Sequence, residues 1–220
     1  MLTLKLTSEK GHSMITGLWG RKIGMTQVFT DAGIVVPVTA IDLAGWIVTQ
    51  IKQKNVDGYD AVQLGCVKQR YKDQSFSSEW LKDKPTYFVA FKEVSIVAHD
   101  AGIQVGHPAD IDALLAGGDN VDVFGTTIGR GFQGGVKRHG FKGGPRTHGD
   151  DLGRSPGSIG YMRSRGRVIK GIRMAGHMGC DRRVMKNLKV IKIEPNAKVV
   201  LVKGSIPGKT GSFVFVRKCR

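Results

Sequence analysis

Four short stretches of the 220-residue sequence carry residue types that known chemistries use. GRGFQG, residues 129–134, has the GxGxxG spacing that lets a backbone approach a dinucleotide pyrophosphate; it follows the strand-like VDVF and lies about twenty residues before Asp150 and Asp151. That fingerprint needs a helix opening at its third glycine, and GVKRHGFKGGP is expected not to supply one. Ser158 in SPGSIG resembles an exposed nucleophile, but Pro156 stands where the first glycine of GxSxG belongs, so a turn is predicted. His139, His148, His177 and Cys180 are potential zinc ligands, yet their spacings of nine, twenty-nine and three match no finger and point to polar contacts instead. VKGSIPGKTG, residues 202–211, lacks the GxxxxGK[ST] spacing and reads as a hairpin turn. No catalytic residue, cofactor, metal or small-molecule substrate follows from these stretches.

Phosphate binding without catalysis fits the composition better. The chain carries 34 Lys and Arg against 18 Asp and Glu, a formal charge of +16, and self-repulsion of that size calls for a polyanion. Residues 125–185 hold 13 Lys or Arg, 3 Asp and 16 Gly, so about +10 of the charge sits there and about +6 on the remainder. Such glycine density leaves too little apolar surface to offset the entropy of ordering, so the segment is expected to be flexible until an anion orders it. Glycine admits backbone N–H groups close to phosphate, and arginine offers a flat, bidentate, stackable cation. Phe132, Phe141 and Tyr161, spaced among the cations, suit stacking on unpaired bases, which favours folded RNA. Two arms of about 30 residues reach at most on the order of 100 Å.

The elements that would carry this segment are strands. Runs rich in Val, Ile, Thr and aromatics predict strands near 15–20, 25–30, 34–43, 46–54 and 58–67, with a turn at 31–33. Residues 68–84 are polar and charged, a short helix or surface excursion; TYFVAFKEVSIV reads as strand, ADIDALLAGG as one helical turn, and NVDVFGTT as strand. Beyond residue 185, two strands flank EPNAK and a third follows PGKTG. The fold class is therefore mainly β: a small antiparallel β-barrel with a long, basic, glycine-rich extended loop inserted between its strands. Its expected parts are an N-terminal extension over 1–13 without ordered structure, barrel strands over 14–124, the loop over 125–185 and closing strands over 186–220. Trp19 and Trp46 are assigned to the barrel core, and Trp80 anchors the polar excursion to it. The apolar runs are too short and interrupted to span a bilayer, and three cysteines without CxxC spacing read as reduced thiols. Residues 1–13 have neither an apolar signal core nor the arginines of a transit peptide, so a cytoplasmic location is expected.

GLWGRKIGMTQVF, GTTIGRGFQGGVKRHGFKGGPRTHG, PGSIG, GRVIKGIRMAGHMG and VLVKGSIPGKTG, in this order from residue 14 to about 217, closely resemble the L-three family of large-subunit ribosomal proteins in its bacterial or organellar form. The resemblance implies a β-barrel on the outer side of the subunit, with a loop threading through rRNA toward the peptidyl-transferase centre. It implies 23S-type rRNA and neighbouring ribosomal proteins as partners, an early role in assembly, and no enzymatic activity. On matching positions, Arg130, Lys137, Arg138 and His139 would meet phosphates, with Phe132 and Phe141 packing or stacking. His148 to Tyr161 would form the tip, with Arg154 and Ser158 in contact, and Arg163, Arg165, Arg167, Lys170 and Arg173 would line the return arm. Lys142, Arg146 and His177 complete the expected rRNA-binding set. One departure stands out: many bacterial relatives have Gln after PGSIG, in some of them methylated, where this chain has Tyr161. A free-standing basic nucleic-acid-binding protein and a dinucleotide-dependent enzyme are the rival readings.

Overall fold

The computed structural model of the chain describes residues 15–72, 74–96, 103–109, 114–145, 147–161, 163 and 166–219. The expected N-terminal extension over 1–13 and residues 110–113 of the helical turn expected in ADIDALLAGG lie outside the described residues, and residues 114–118 of that stretch are not helical.

The described chain is mainly β, and its paired strands are antiparallel. In order they are β1 (Gly17–Phe29), β2 (Val35–Asp42), β3 (Trp46–Lys52), β4 (Ala61–Val67), β5 (Phe88–Ser95), β6 (Asn120–Thr126), β7 (Phe132–Gln133), β8 (Gly176–His177), β9 (Arg182–Glu194), β10 (Val199–Lys203) and β11 (Phe213–Lys218). Two strands expected at 15–20 and 25–30 are one strand, β1, whose pairing with β2 shifts register between Lys22 and Gly24. The shift leaves one residue extra on β1, so the strand bends and continues where a break was expected.

By compactness the chain divides into Met1–Gly125 with Arg183–Arg220, and Thr126–Arg182. In the first unit six strands hydrogen-bond in the ring order β1-β11-β6-β9-β10-β2. Alternation builds it: Val121 and Val123 of β6, Val200 and Val202 of β10, and Val214 and Val216 of β11 are all 0% exposed, while the residues between them are less deeply buried, Asp122 at 7% among them. Branched side chains suit this pleated interior, and burying each contributes about 1.5–3 kcal/mol. The one fully buried hydroxyl there, Thr39, donates to the Gly204 carbonyl at 2.6 Å and so costs little.

β10 and β11 are not neighbours, so residues 204–212 form a crossing connection and not the expected hairpin turn. Lys22 Nζ ties this crossing down, donating to the carbonyls of Ile206 and Gly208 at 2.9 Å each.

β3, β4 and β5 make a separate three-stranded sheet in the same unit, where the sequence had assigned every strand to one barrel. Central β4 is buried on both faces, which lets it join two clusters. Trp46, 2% exposed, meets Phe213 of the ring edge-on at 5.6 Å. On the other side Val67 packs with Phe88 and Trp80. Trp80 is stacked on Tyr87 at 5.2 Å and 8°, and this fixes the polar excursion, whose short helices are α2 (Glu79–Lys82) and α3 (Lys84–Tyr87). A further one-turn helix, α1 (Lys54–Asp57), follows β3. No helix among the described residues is long and apolar enough to cross a membrane.

Candidate nucleic-acid interface

The unit Thr126–Arg182 contains nearly all of the basic glycine-rich stretch, and main-chain hydrogen bonds hold its two arms together at their base. Thr127 N–H donates to Asp181 O, Arg130 N–H to Met178 O, and Met178 N–H to Gly131 O, at 2.8–3.0 Å. β7 then pairs β8, with Phe132 opposite His177 and Gln133 opposite Gly176. Here glycine is required by space. Gly179 has φ +84°, and a Cβ on it would lie 2.3 Å from the Ile128 carbonyl oxygen and 2.9 Å from the Gly129 Cα.

A short helix, α4 (Gly135–His139), opens directly after the third glycine of GRGFQG, where the sequence was expected not to supply the amphipathic helix of a dinucleotide site. It is five residues long and is closed by Gly140 in the left-handed conformation, whose N–H donates back to Val136 O. One turn is too short for the packed helix of a dinucleotide site, so the reading against such a site stands on length.

The helix serves to clamp the return arm. Arg138 Nη1 donates to Met174 O at 2.6 Å, and His139 Nε2 lies 2.9 Å from the same oxygen, which requires a proton on that nitrogen. The His139 ring packs against Phe141 at 5.8 Å, and Phe141 in turn fills the space beside Gly135, where a Cβ would stand 2.7 Å away. Of the residues expected to contact RNA, Arg138, His139 and Phe141 are thus half-buried and engaged within the unit.

Farther out, Gly144 N–H donates to Gly153 O at 2.7 Å, again bridging two passes of the chain. Asp150 organises the turn between them, accepting from the N–H groups of Leu152 and Gly153. The Ser158 hydroxyl donates to Gly160 O, two residues along the chain.

What remains faces outward. Arg130, Lys137, Lys142, His148, Arg154, Arg163, Arg167, Lys170, Arg173 and His177 are exposed, as are Phe132 at 76% and Tyr161 at 59%. Arg146 and Arg165 lie outside the described residues. Arg130, Lys137, Lys142, Arg154, Lys170 and Arg173 have no carboxylate partner among the described residues. The histidines and cysteine weighed as zinc ligands have separate surroundings: His139 is on the α4 clamp, His148 is in a turn with φ 65°, and His177 is in β8.

Sequence reading missed the residues that shape this frame: Gln133, whose amide donates to the Arg130 carbonyl, Met174 through its main chain, Asp150 and Gly179. Asp-Asp-Leu-Gly carried a turn signal for Asp150, whereas a main-chain acceptor such as Met174 leaves none.

A family model described as Ribosomal protein L3 matches residues 92–199, which include the whole of this unit. Over 207 residues the chain is 42% identical to the large ribosomal subunit protein uL3 of Pelotomaculum thermopropionicum, covering 93% of this chain and 97% of that one. The chain belongs to the ribosomal protein L3 family. The uL3 proteins of Herpetosiphon aurantiacus, 46% identical over 208 residues, and Dechloromonas aromatica, 40% over 208, are covered to 97% and 98% of their lengths. The resemblance read from the sequence motifs is therefore correct, and in its bacterial form. Members of the ribosomal protein L3 family are structural proteins and not enzymes.

Proposed function

We propose that the chain is a structural constituent of the large ribosomal subunit that binds 23S-type rRNA directly and supports early subunit assembly in the cytoplasm. Residues 14–124 and 186–220, which carry most of the six-strand ring, act as a small barrel that sits among neighbouring ribosomal proteins. The insertion over 125–185 threads rRNA toward the peptidyl-transferase centre.

The observation that carries this reading is the division of labour within Thr126–Arg182. Main-chain bonds and the Arg138–Met174 clamp hold the frame, which leaves exposed cations with no carboxylate partner among the described residues. Each such cation that meets a phosphate releases condensed counterions, so binding gains entropy without any reaction. Exposed Phe132 and Tyr161 add stacking faces for unpaired bases. Peptide transfer itself remains RNA chemistry.

Sucrose-gradient fractionation of a lysate in low and high salt tests the reading. Co-migration with the large subunit through the high-salt gradient is the expected result. A protein at the top of both gradients would sink it and favour a free-standing basic nucleic-acid-binding protein.

A further inference from the structure

The positive charge outside the loop is not spread over the remaining chain. Residues 1–124 carry 12 Lys or Arg against 14 Asp or Glu, whereas residues 183–220 carry 10 against a single acid, Glu194. A net charge of +9 is thus packed into the last 38 residues, which supply β10, β11 and nearly all of β9.

Strand register concentrates it further. In the β9–β10 ladder Leu201 stands opposite Lys192 and Val202 opposite Val190, the last pair, and Lys203 and Lys189 are the residues that follow that pair on the two strands. Val190, Val200 and Val202 point into the core at 0% exposure, so alternation turns Lys189 and Lys203 to the outer face, where both are exposed. Lys192 is exposed as well and reaches Glu194 two residues along its own strand. Neither Lys189 nor Lys203 has a carboxylate partner among the described residues. Exposed lysines gathered on one face of two neighbouring strands repel one another, so an arrangement of this kind favours an external anion.

We propose that the outer face of β9 and β10, centred on Lys189, Lys192 and Lys203, is a second site for the RNA phosphate backbone. It lies on the ring unit and is separate from the basic loop. The inference rests on the rRNA-binding reading above. Lysine fits such a site because a mobile point charge positions a backbone without reading sequence. The same protein would then hold RNA at two places: the loop inside folded RNA, and the lysine face against RNA at the surface of the ring.

The test is filter binding of the full chain to a 23S rRNA transcript over a series of KCl concentrations. Its arms are wild type, a loop variant (R130Q, K137Q, R154Q, K170Q) and a face variant (K189Q, K192Q, K203Q). Three lost phosphate contacts should make the slope of log affinity against log salt shallower by about 2 to 3 in the face variant, and the loop and face effects should add. The single variant K203E, which changes one exposed residue and spares the core, should make the slope shallower by about 1 or more. If wild type binds and the loop variant weakens while both face variants match wild type in affinity and slope, the second site is refuted and the rRNA-binding function stands. If wild type itself shows a slope shallower than about −3, both readings fall.

Discussion

Arg138 donates from Nη1 to the main-chain oxygen of Met174 at 2.6 Å, across 36 residues of sequence, and its guanidinium lies over Gly176 at a distance that a Cβ there would cut to 2.9 Å. One bond leaves four of the five guanidinium N–H groups for other partners, so the residue can clamp protein and meet phosphate together. Substituting Arg138→Gln should loosen the loop while sparing the ring. A charged hydrogen bond of this half-exposed kind contributes about 1 kcal/mol after screening. The rate of limited proteolysis within 140–175 should rise severalfold, with no change in thermal midpoint. An unchanged cleavage rate would show that the clamp does not hold the arms.

Gly179 makes a sharper prediction. Its positive φ costs a non-glycine residue about 1–3 kcal/mol, and the added Cβ meets main-chain atoms that no side-chain rotation can clear. Gly179→Ala should therefore separate the arms at their base and lower incorporation into large subunits at least tenfold in a competition with wild type. Gly131→Ala, at a φ of +65° but with nothing within 4 Å of its added Cβ, should cost less. Equal incorporation of the two variants would mean that backbone strain alone, and not the close approach, makes Gly179 necessary.

How far these features were legible in advance depends on their range. Val121, Val123, Val200, Val202, Val214 and Val216 announce their strands because the period of two is written locally. The cations of residues 129–173 announce a polyanion because charge and glycine content are local too. Strand order is not local: nothing in GSIPGKTG distinguishes a hairpin from a crossing, and the choice falls to which strands flank β10 and β11 in the ring. The separate β3-β4-β5 sheet was hidden for the same reason, since β4 differs from a ring strand only in having both faces covered. Helix α4 was missed because glycine content argues against a long helix, whereas one turn needs only a left-handed glycine to end it. The Lys189 and Lys203 pair was lost in an average over acidic and basic halves of the ring.

Asp122 of β6 sits opposite Arg217 of β11, which donates to it at 2.9 Å, while the Asn187 N–H of β9 and the Cys219 thiol donate to its other oxygen. Burial works to raise this carboxyl, but the Arg217, Cys219 and Asn187 hydrogen bonds outweigh it and hold it below the usual carboxylate range. A depressed folded-state pKa stabilises above the unfolded value near 4 and loses that contribution as pH falls through the folded value. Wild type should thus lose stability below about pH 4, and Asp122→Asn should flatten that acid limb. The variant should also be about 1–2 kcal/mol less stable at pH 7, a modest figure because Arg217 is nearly half exposed. Denaturant midpoints measured from pH 7 to pH 2 decide it; parallel curves for the two proteins would remove Asp122 as the titrating node.

Tyr161 directly follows the sequence PGSIG with 59% of its surface exposed. Tyrosine offers an aromatic face, and the proposed rRNA-binding role has that face stack on an unpaired base. Stacking of this kind is worth about 1–3 kcal/mol per base. Tyr161→Ala should therefore weaken rRNA binding by roughly 5- to 150-fold, at a salt slope equal to wild type because no charge is removed. Tyr161→Phe keeps the ring and should bind as wild type does. If Tyr161→Phe binds as weakly as Tyr161→Ala, the hydroxyl and not the ring carries the contact, and the stacking assignment fails.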